Sequence, residues 1–301
     1  MDCKTEKAVP MFIKPEDLHL YKSFKFVDVR NPNAYAEGHL KNAVNVHDIF
    51  TYLLPTSAEN ALNQMENYFK NRFSELGITG KEHIIIYENS MNSQYGASCR
   101  GFFIFKYMKH SKVSTLEGGL EALLLTEGGA QQITKELPTI IPCQYEGQDD
   151  NVTDGLMANR DDVLQIIHNK LPRTWLLDVR DAIEWNGLSS SPYGVHFTPR
   201  KGRIPDSIWI EWYKFHELDS DKRVVKSTSN EQIQALLKEK GIQSNDEIIV
   251  YCFKGSRAAV ALMKMKQAGY TNVKNYFASW NEWSRDPQLP IDDRIFVDTQ
   301  A

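Results

Sequence analysis

Cysteine is scarce in this chain, and so is any excess of charge of one sign. Its 301 residues hold four cysteines, and 35 Lys and Arg stand against 39 Asp and Glu for a formal net charge of -4. Cys3, Cys99, Cys143 and Cys252 are scattered without CxxC spacing, which speaks against both a zinc site and a disulfide framework. Thiols in a reducing compartment are the simpler reading. Without a basic excess nothing points to nucleic acid or to a membrane surface. No run approaches the roughly 18 consecutive apolar residues of a membrane span. The stretch from Met1 to Lys7 is charged and lacks the apolar centre of a signal peptide. A soluble, cytoplasmic protein is the expectation.

Composition is otherwise that of a globular protein, 42% hydrophobic and 25% charged. The chain is longer than a single core usually grows, so two domains of roughly 100–150 residues are expected. An internal repeat supports this. Phe26-Val27-Asp28-Val29-Arg30 is echoed by Leu176-Leu177-Asp178-Val179-Arg180, and Gly38-His39-Leu40 by Gly202-Arg203-Ile204. Ile84–Glu88 is answered by Ile248–Cys252, and the apolar helix after Arg100 by the one after Arg257. Four matches in the same order imply duplication. Each copy alternates β-rich runs with helical stretches, the pattern of a parallel sheet flanked by helices. The expected division is a first domain over 1–133, a linker over 134–154 rich in Pro, Gly and polar residues, and a second domain over 155–301. A helix beginning near Asn159–Asp161, with Asn159 as a candidate N-cap, opens the second copy.

The most specific local signal is Ile248–Leu262. Apolar and β-branched residues give a buried strand ending on Cys252, Gly255 permits a tight turn, and the Ala-rich run after Arg257 starts a helix. A thiol there faces unpaired backbone N–H groups and the positive end of a helix dipole. Both favour the thiolate and hold an anion near the sulfur. Lys254 and Arg257 add positive charge. The first copy has Glu88 at the matching position and a longer, Asn- and Ser-rich span before Arg100. A carboxylate cannot serve as a sulfur nucleophile, so only the second copy is expected to be catalytic. That copy also carries an insertion between Arg180 and Gly202, a candidate wall of the site.

The Asp-Val-Arg strand ends, the Cys-x-x-Gly-x-Arg loop and the terminal Trp280-Asn281-Glu282-Trp283 segment followed by Asp286-Pro287 resemble a tandem-domain rhodanese over nearly the whole chain. The resemblance implies two rhodanese-like α/β domains, the first inactive with an acidic residue in place of the cysteine. It also implies a sulfurtransferase that takes sulfane sulfur onto Cys252 as a persulfide and passes it to a thiophilic acceptor, cyanide or a thiol. The backbone N–H groups of Phe253, Lys254, Gly255, Ser256 and Arg257 would cradle the anionic donor, with the Ser256 hydroxyl as a further donor. Arg257 either clamps the anion or locks the loop outward on a carboxylate or carbonyls. Asp178 and Arg180 are expected as supports beneath the loop or as a structural ion pair. No metal or organic cofactor is implied. Expected partners are a small anionic sulfur donor and its acceptor, with a thioredoxin-like reductant as a candidate.

Four residues separate Cys252 from Arg257, whereas phosphatase-like relatives resemble Cys-x5-Arg, so sulfur transfer is favoured over dephosphorylation. Lys254 resembles the thiosulfate-using type; 3-mercaptopyruvate as donor, and a sulfur-carrier or persulfide-sensing protein with weak turnover, are the alternatives. Glu184 stands where tandem enzymes of this family resemble one another in having a substrate-binding arginine. Arg200, Lys201 or Arg203 are candidate replacements, or else a solvated basic turn. Trp280 and Trp283 read as core or crevice-wall aromatics, Cys99 as core, Cys3 and Cys143 as thiols of flexible segments, and His39 as a partner of backbone groups in the first copy.

Overall fold

The computed structural model describes residues 9–147, 155–221 and 224–294. The described chain forms two compact units. The first holds the chain up to Phe50 and again from Phe69 onward; the second takes Thr51–Tyr68 and everything from Gly155.

Each unit is built on a five-stranded, all-parallel sheet, and the two sheets repeat one topology. In the first the spatial order is Phe12–Ile13, Val113–Leu116, His83–Tyr87, Phe24–Asp28, Val44–Asn45. In the second it is Met157–Ala158, Val273–Tyr276, Glu247–Tyr251, Thr174–Asp178, Ile208–Trp209. The two longest strands of each sheet also share a register: Asp28 pairs with Tyr87, and Asp178 with Tyr251. Helices on both faces explain why His83–Tyr87 is buried at every position and Glu247–Tyr251 at all but the first. Duplication therefore extends to hydrogen bonding. Tyr87 Oη accepts from the Leu40 N–H at 3.1 Å, and Tyr251 Oη from the Ile204 N–H at 3.2 Å.

Asn159 caps the helix Arg160–Asn169 through a reciprocal box with Asp162, as its sequence position suggests. The described part of the expected linker, residues 134–147, is bonded to the first unit. Cys143 N–H donates to the Ser74 carbonyl, Glu146 N–H to Thr79, and the buried Tyr145 hydroxyl to Met108. Cys143 thus lies in a tied segment rather than a flexible one, its thiol donating to the Ile78 carbonyl at 3.2 Å. Cys3 lies outside the described residues. Cys99 is fully buried in a helix. His39 bonds the carbonyls of Tyr35 and Glu136 and stacks on the Tyr35 ring. Among the described residues no helix is long and apolar enough to cross a membrane.

Candidate active site

The central strand Glu247–Tyr251 of the second sheet delivers Cys252 to the carboxyl edge, where open α/β sheets bind ligands. The chain then turns into the helix Ser256–Gln267. The turn depends on Gly255, whose φ of 87° lies in the left-handed region. A Cβ there would fall 2.5 Å from the Phe277 ring. Below the turn, the Cys252 and Phe253 carbonyls accept the N–H groups of Trp280 and Asn281, and Asn275 Nδ2 donates to the Gly255 carbonyl. No side chain caps the helix; instead the Gly255 N–H points at Cys252 Sγ, 3.1 Å away. The sulfur is nearly closed off, the residue being 1% exposed. Ser256 is buried, and its hydroxyl has no hydrogen-bond partner among the described residues.

Ser279 also fixes the cysteine, and nothing in the second copy alone marks it. Its hydroxyl accepts the Cys252 N–H at 3.1 Å and donates to the Tyr276 carbonyl at 2.6 Å, and its own φ is 55°. The first copy has Gly119 at the matching position, φ 69°, where a Cβ would strike the Glu88 and Asn89 carbonyls. That glycine is the signal that could have flagged Ser279.

Arg257 is the loop's lock. Its guanidinium meets the buried Glu184 at 2.5 and 3.1 Å and the partly exposed Asp181 at 3.1 Å. Burial pushes the Glu184 carboxyl up while the guanidinium pulls it down. The same carboxylates raise Arg257 well above its ordinary range against the effect of burial. The side chain is thus held on Glu184 and Asp181, and its backbone N–H stays in the first helical turn. Asp178 and Arg180 form a second, fully buried pair, 2.6 Å apart. Arg180 continues to the Gly202 carbonyl and lies under the Trp280 ring. Trp280 and Trp283 are both core. Arg200 fans onto the carbonyls of Trp283, Ser284, Asp286 and Leu289, and Arg203 binds Asp292 and the Trp185 carbonyl. Both are fasteners of the chain's last segment.

The insertion after Arg180 folds over the loop. Tyr193 and Phe197 each stand edge-on to Phe253 with centroids 5.5 and 5.6 Å away, and Lys254 Nζ lies 4.9 Å over the Tyr193 ring.

In the first unit Glu88 occupies the position of Cys252. Its carboxylate, fully buried, accepts from the Ser98 N–H and hydroxyl at 2.9 and 2.8 Å and from the Gln94 N–H at 3.0 Å. Burial raises its pKa, and these donors oppose the rise. Arg100 is the fourth residue of its helix whereas Arg257 is the second, so the longer first loop takes Arg100 out of equivalence and into contact with the Phe50 carbonyl.

Two copies of one parallel α/β domain, of which the second presents a thiol inside a nest of helix N–H groups, define a class, and comparison with known proteins names it. The model of the rhodanese-like domain matches residues 15–125 and again 159–286. The sulfur carrier protein TtuD of Thermus thermophilus is 32% identical over 232 residues, 75% of this chain and 76% of that protein. A protein of Saccharopolyspora erythraea provisionally named thiosulfate sulfurtransferase is 28% identical over 86% of each chain. The 3-mercaptopyruvate sulfurtransferase of Escherichia coli is 26% identical over 86% of this chain and 84% of that one. In fold, an ergothioneine complex of EanB superposes with a TM-score of 0.75 at 21% identity, covering 95% of this chain and 71% of that one. The chain belongs to the rhodanese family and carries two rhodanese-like domains.

Proposed function

We propose that this protein is a sulfurtransferase that carries sulfane sulfur as a persulfide on Cys252. The observation that bears most weight is the pair of nests. In the first unit the N–H groups of Gln94 and Ser98 hold the Glu88 carboxylate; in the second the Gly255 N–H, at the matching turn into a helix, points at the Cys252 thiol. An arrangement suited to bound negative charge is what a thiolate, an anionic donor and a persulfide all need. The Ser256 hydroxyl, without a partner among the described residues, supplies one more donor.

Thiosulfate is the donor that Lys254 suits. The Cys252 thiolate attacks its outer sulfur, a new S–S bond forms on Sγ, and the old one breaks with its electron pair leaving on sulfite. Cyanide or a thiolate then attacks the outer persulfide sulfur, and Cys252 returns as thiolate, a ping-pong cycle. Arg257 serves as the lock of the loop, with Asp178 and Arg180 as its support. Cys252→Ser should abolish sulfite release from thiosulfate, and retained release would refute the scheme. Lys254→Ala should weaken thiosulfate use more than 3-mercaptopyruvate use.

A sulfur-carrier role is the second reading. It is favoured by Glu184, which engages Arg257 where a substrate-binding arginine is otherwise expected, and by the name of the 32% identical relative. Loading of Cys252 without multiple turnover would support it.

A further inference from the structure

The two units also differ at the other edge of their sheets, where the strands begin. In the first unit three neighbouring strands, Val113–Leu116, His83–Tyr87 and Phe24–Asp28, are each entered through a lysine: Lys112, Lys81 and Lys22. Together with Lys106, near the end of the helix Ala97–Tyr107, they line a cavity of about 670 Å³. Among the lining residues these four lysines meet a single carboxylate, that of Glu82. It is engaged by its own turn, accepting from the Thr79 N–H and hydroxyl and from the Lys81 N–H.

The fold by itself accounts for Lys106 alone. That residue lies in the last turn of its helix, where positive charge is favoured, and donates to the Ser111 carbonyl, as the matching Lys266 does to Thr271. Lys22, Lys81 and Lys112 lie outside helices. Their counterparts in the second unit are Pro172, Asn245 and Asn272, and that edge pairs its own charges, Arg173 with Asp246 and Lys274 with Glu247, each at 2.7 Å. The shared scaffold therefore does not require the three lysines of the first.

The buried His83 ring lines the same cavity, with Tyr21 edge-on at 5.3 Å. The Ser114 hydroxyl gives its proton to the Pro10 carbonyl at 2.5 Å, so His83 Nε2 is the donor to Ser114 Oγ at 2.9 Å. Burial, and after it His110, Lys112 and Lys106, push the ring's pKa down to about 4. The imidazole is thus neutral at pH 7, and the positive charge of the basin is that of its lysines. An ammonium holds phosphate oxygens as a point charge. Lysines rooted on three neighbouring strands span about 10 Å, two interstrand spacings, which is wider than one phosphate and suits several in a row. Tyr21 and the exposed Leu20 supply an apolar side.

We infer that this edge of the first unit binds an anion with linked phosphate groups, an inorganic chain or one carried by a nucleoside, on Lys22, Lys81, Lys106 and Lys112. The copy without the cysteine thereby has a ligand of its own.

The test titrates the full chain at low salt with orthophosphate, tripolyphosphate and ATP, reading Kd by calorimetry and the His83 ring signals by NMR. Tripolyphosphate should bind at least tenfold more tightly than orthophosphate and shift the His83 signals. Lys22→Gln and Lys81→Gln, at exposed positions, should each weaken it about fivefold, the upper end for an exposed ion pair, and the triple variant with Lys112→Gln about a hundredfold. Lys274→Gln, on the matching edge of the second unit, should leave the affinity unchanged. ATP binding more tightly than tripolyphosphate, with the gain lost in Tyr21→Ala, would assign the site to a nucleotide; equal affinities would assign it to the inorganic chain. Tripolyphosphate affinity that is retained in the Lys22→Gln/Lys81→Gln double variant, or that does not exceed that of orthophosphate, would overturn the inference.

Discussion

The loop after Ile84–Tyr87 and the loop after Ile248–Tyr251 begin from superposable strands and end differently. In both, a tyrosine hydroxyl binds the chain after a Gly, an Asp–Arg pair braces the neighbouring strand, and the residue following the tyrosine meets backbone N–H at the turn into a helix. In the first unit that residue is Glu88, which reaches into the nest with its own carboxylate and fills it. In the second it is Cys252, two heavy atoms shorter, with one N–H on its sulfur. One scaffold therefore supports a self-satisfied structural element and, with a shorter loop and a smaller residue, the site we propose for an external anion. On the proposed reading, anion binding belongs to the shared scaffold, whereas reactivity belongs to the thiol and the loop length.

The largest expected effect comes from moving chemistry between the loops. Cys252→Ser should eliminate persulfide formation, and Glu88→Cys should not restore it. The first loop is longer, and its N–H groups converge where a carboxylate reaches, not where a thiol would. A Glu88→Cys/Cys252→Ser double variant that accepts sulfur from thiosulfate would show that residue type alone separates the copies.

Next is the Arg257–Glu184 lock of the second loop. Arg257→Met leaves Glu184 buried and unpaired and should cost about 3–5 kcal/mol in denaturant unfolding. A loss below about 1 kcal/mol would mean that the pair behaves like an exposed one.

A smaller effect is expected at Ser279, the counterpart of Gly119. Ser279→Ala keeps the unfavourable φ of 55° and removes both hydroxyl bonds, for a loss of about 1–3 kcal/mol. Ser279→Gly should be less harmful, because relief of the backbone offsets part of that loss. Equal losses would contradict the backbone argument.

The smallest effect concerns Glu88. Burial raises its folded-state pKa above the unfolded value, so its contribution to stability is greatest below about pH 4.3 and declines as pH rises through the folded pKa. Relative to Glu88→Gln, the wild type should thus lose stability as pH rises above about 4.3. A gap moving the other way would show that the N–H donors outweigh burial.

Much of this comparison was legible before any coordinates. The repeated Asp-x-Arg strand ends, the switch from Glu88 to Cys252 and the longer first loop are local patterns tied to period-2 strands and to helix starts. The Asn159 cap was legible for the same reason. What was hidden depends on tertiary pairing. Arg257 had two equally good uses until Glu184 was found facing it. Arg203 replaces the histidine of the first copy because it reaches Asp292 on a segment distant in sequence. The match of Arg100 to Arg257 failed because a sequence echo does not count turns of helix, and the loop difference shifts one past the other. Tyr193 and Phe197 carry no motif, and only the fold of the insertion brings them to Phe253.

The central claim is that sulfur is carried on the thiol in the second nest. Intact-mass measurement after exposure to thiosulfate, followed by peptide mapping of the alkylated persulfide, tests it most directly. The account predicts one added sulfur per chain, on the peptide containing Cys252, with none on those containing Cys99 or Cys143. Sulfur found on another cysteine, or one sulfur still added to the Cys252→Ser variant, would contradict it.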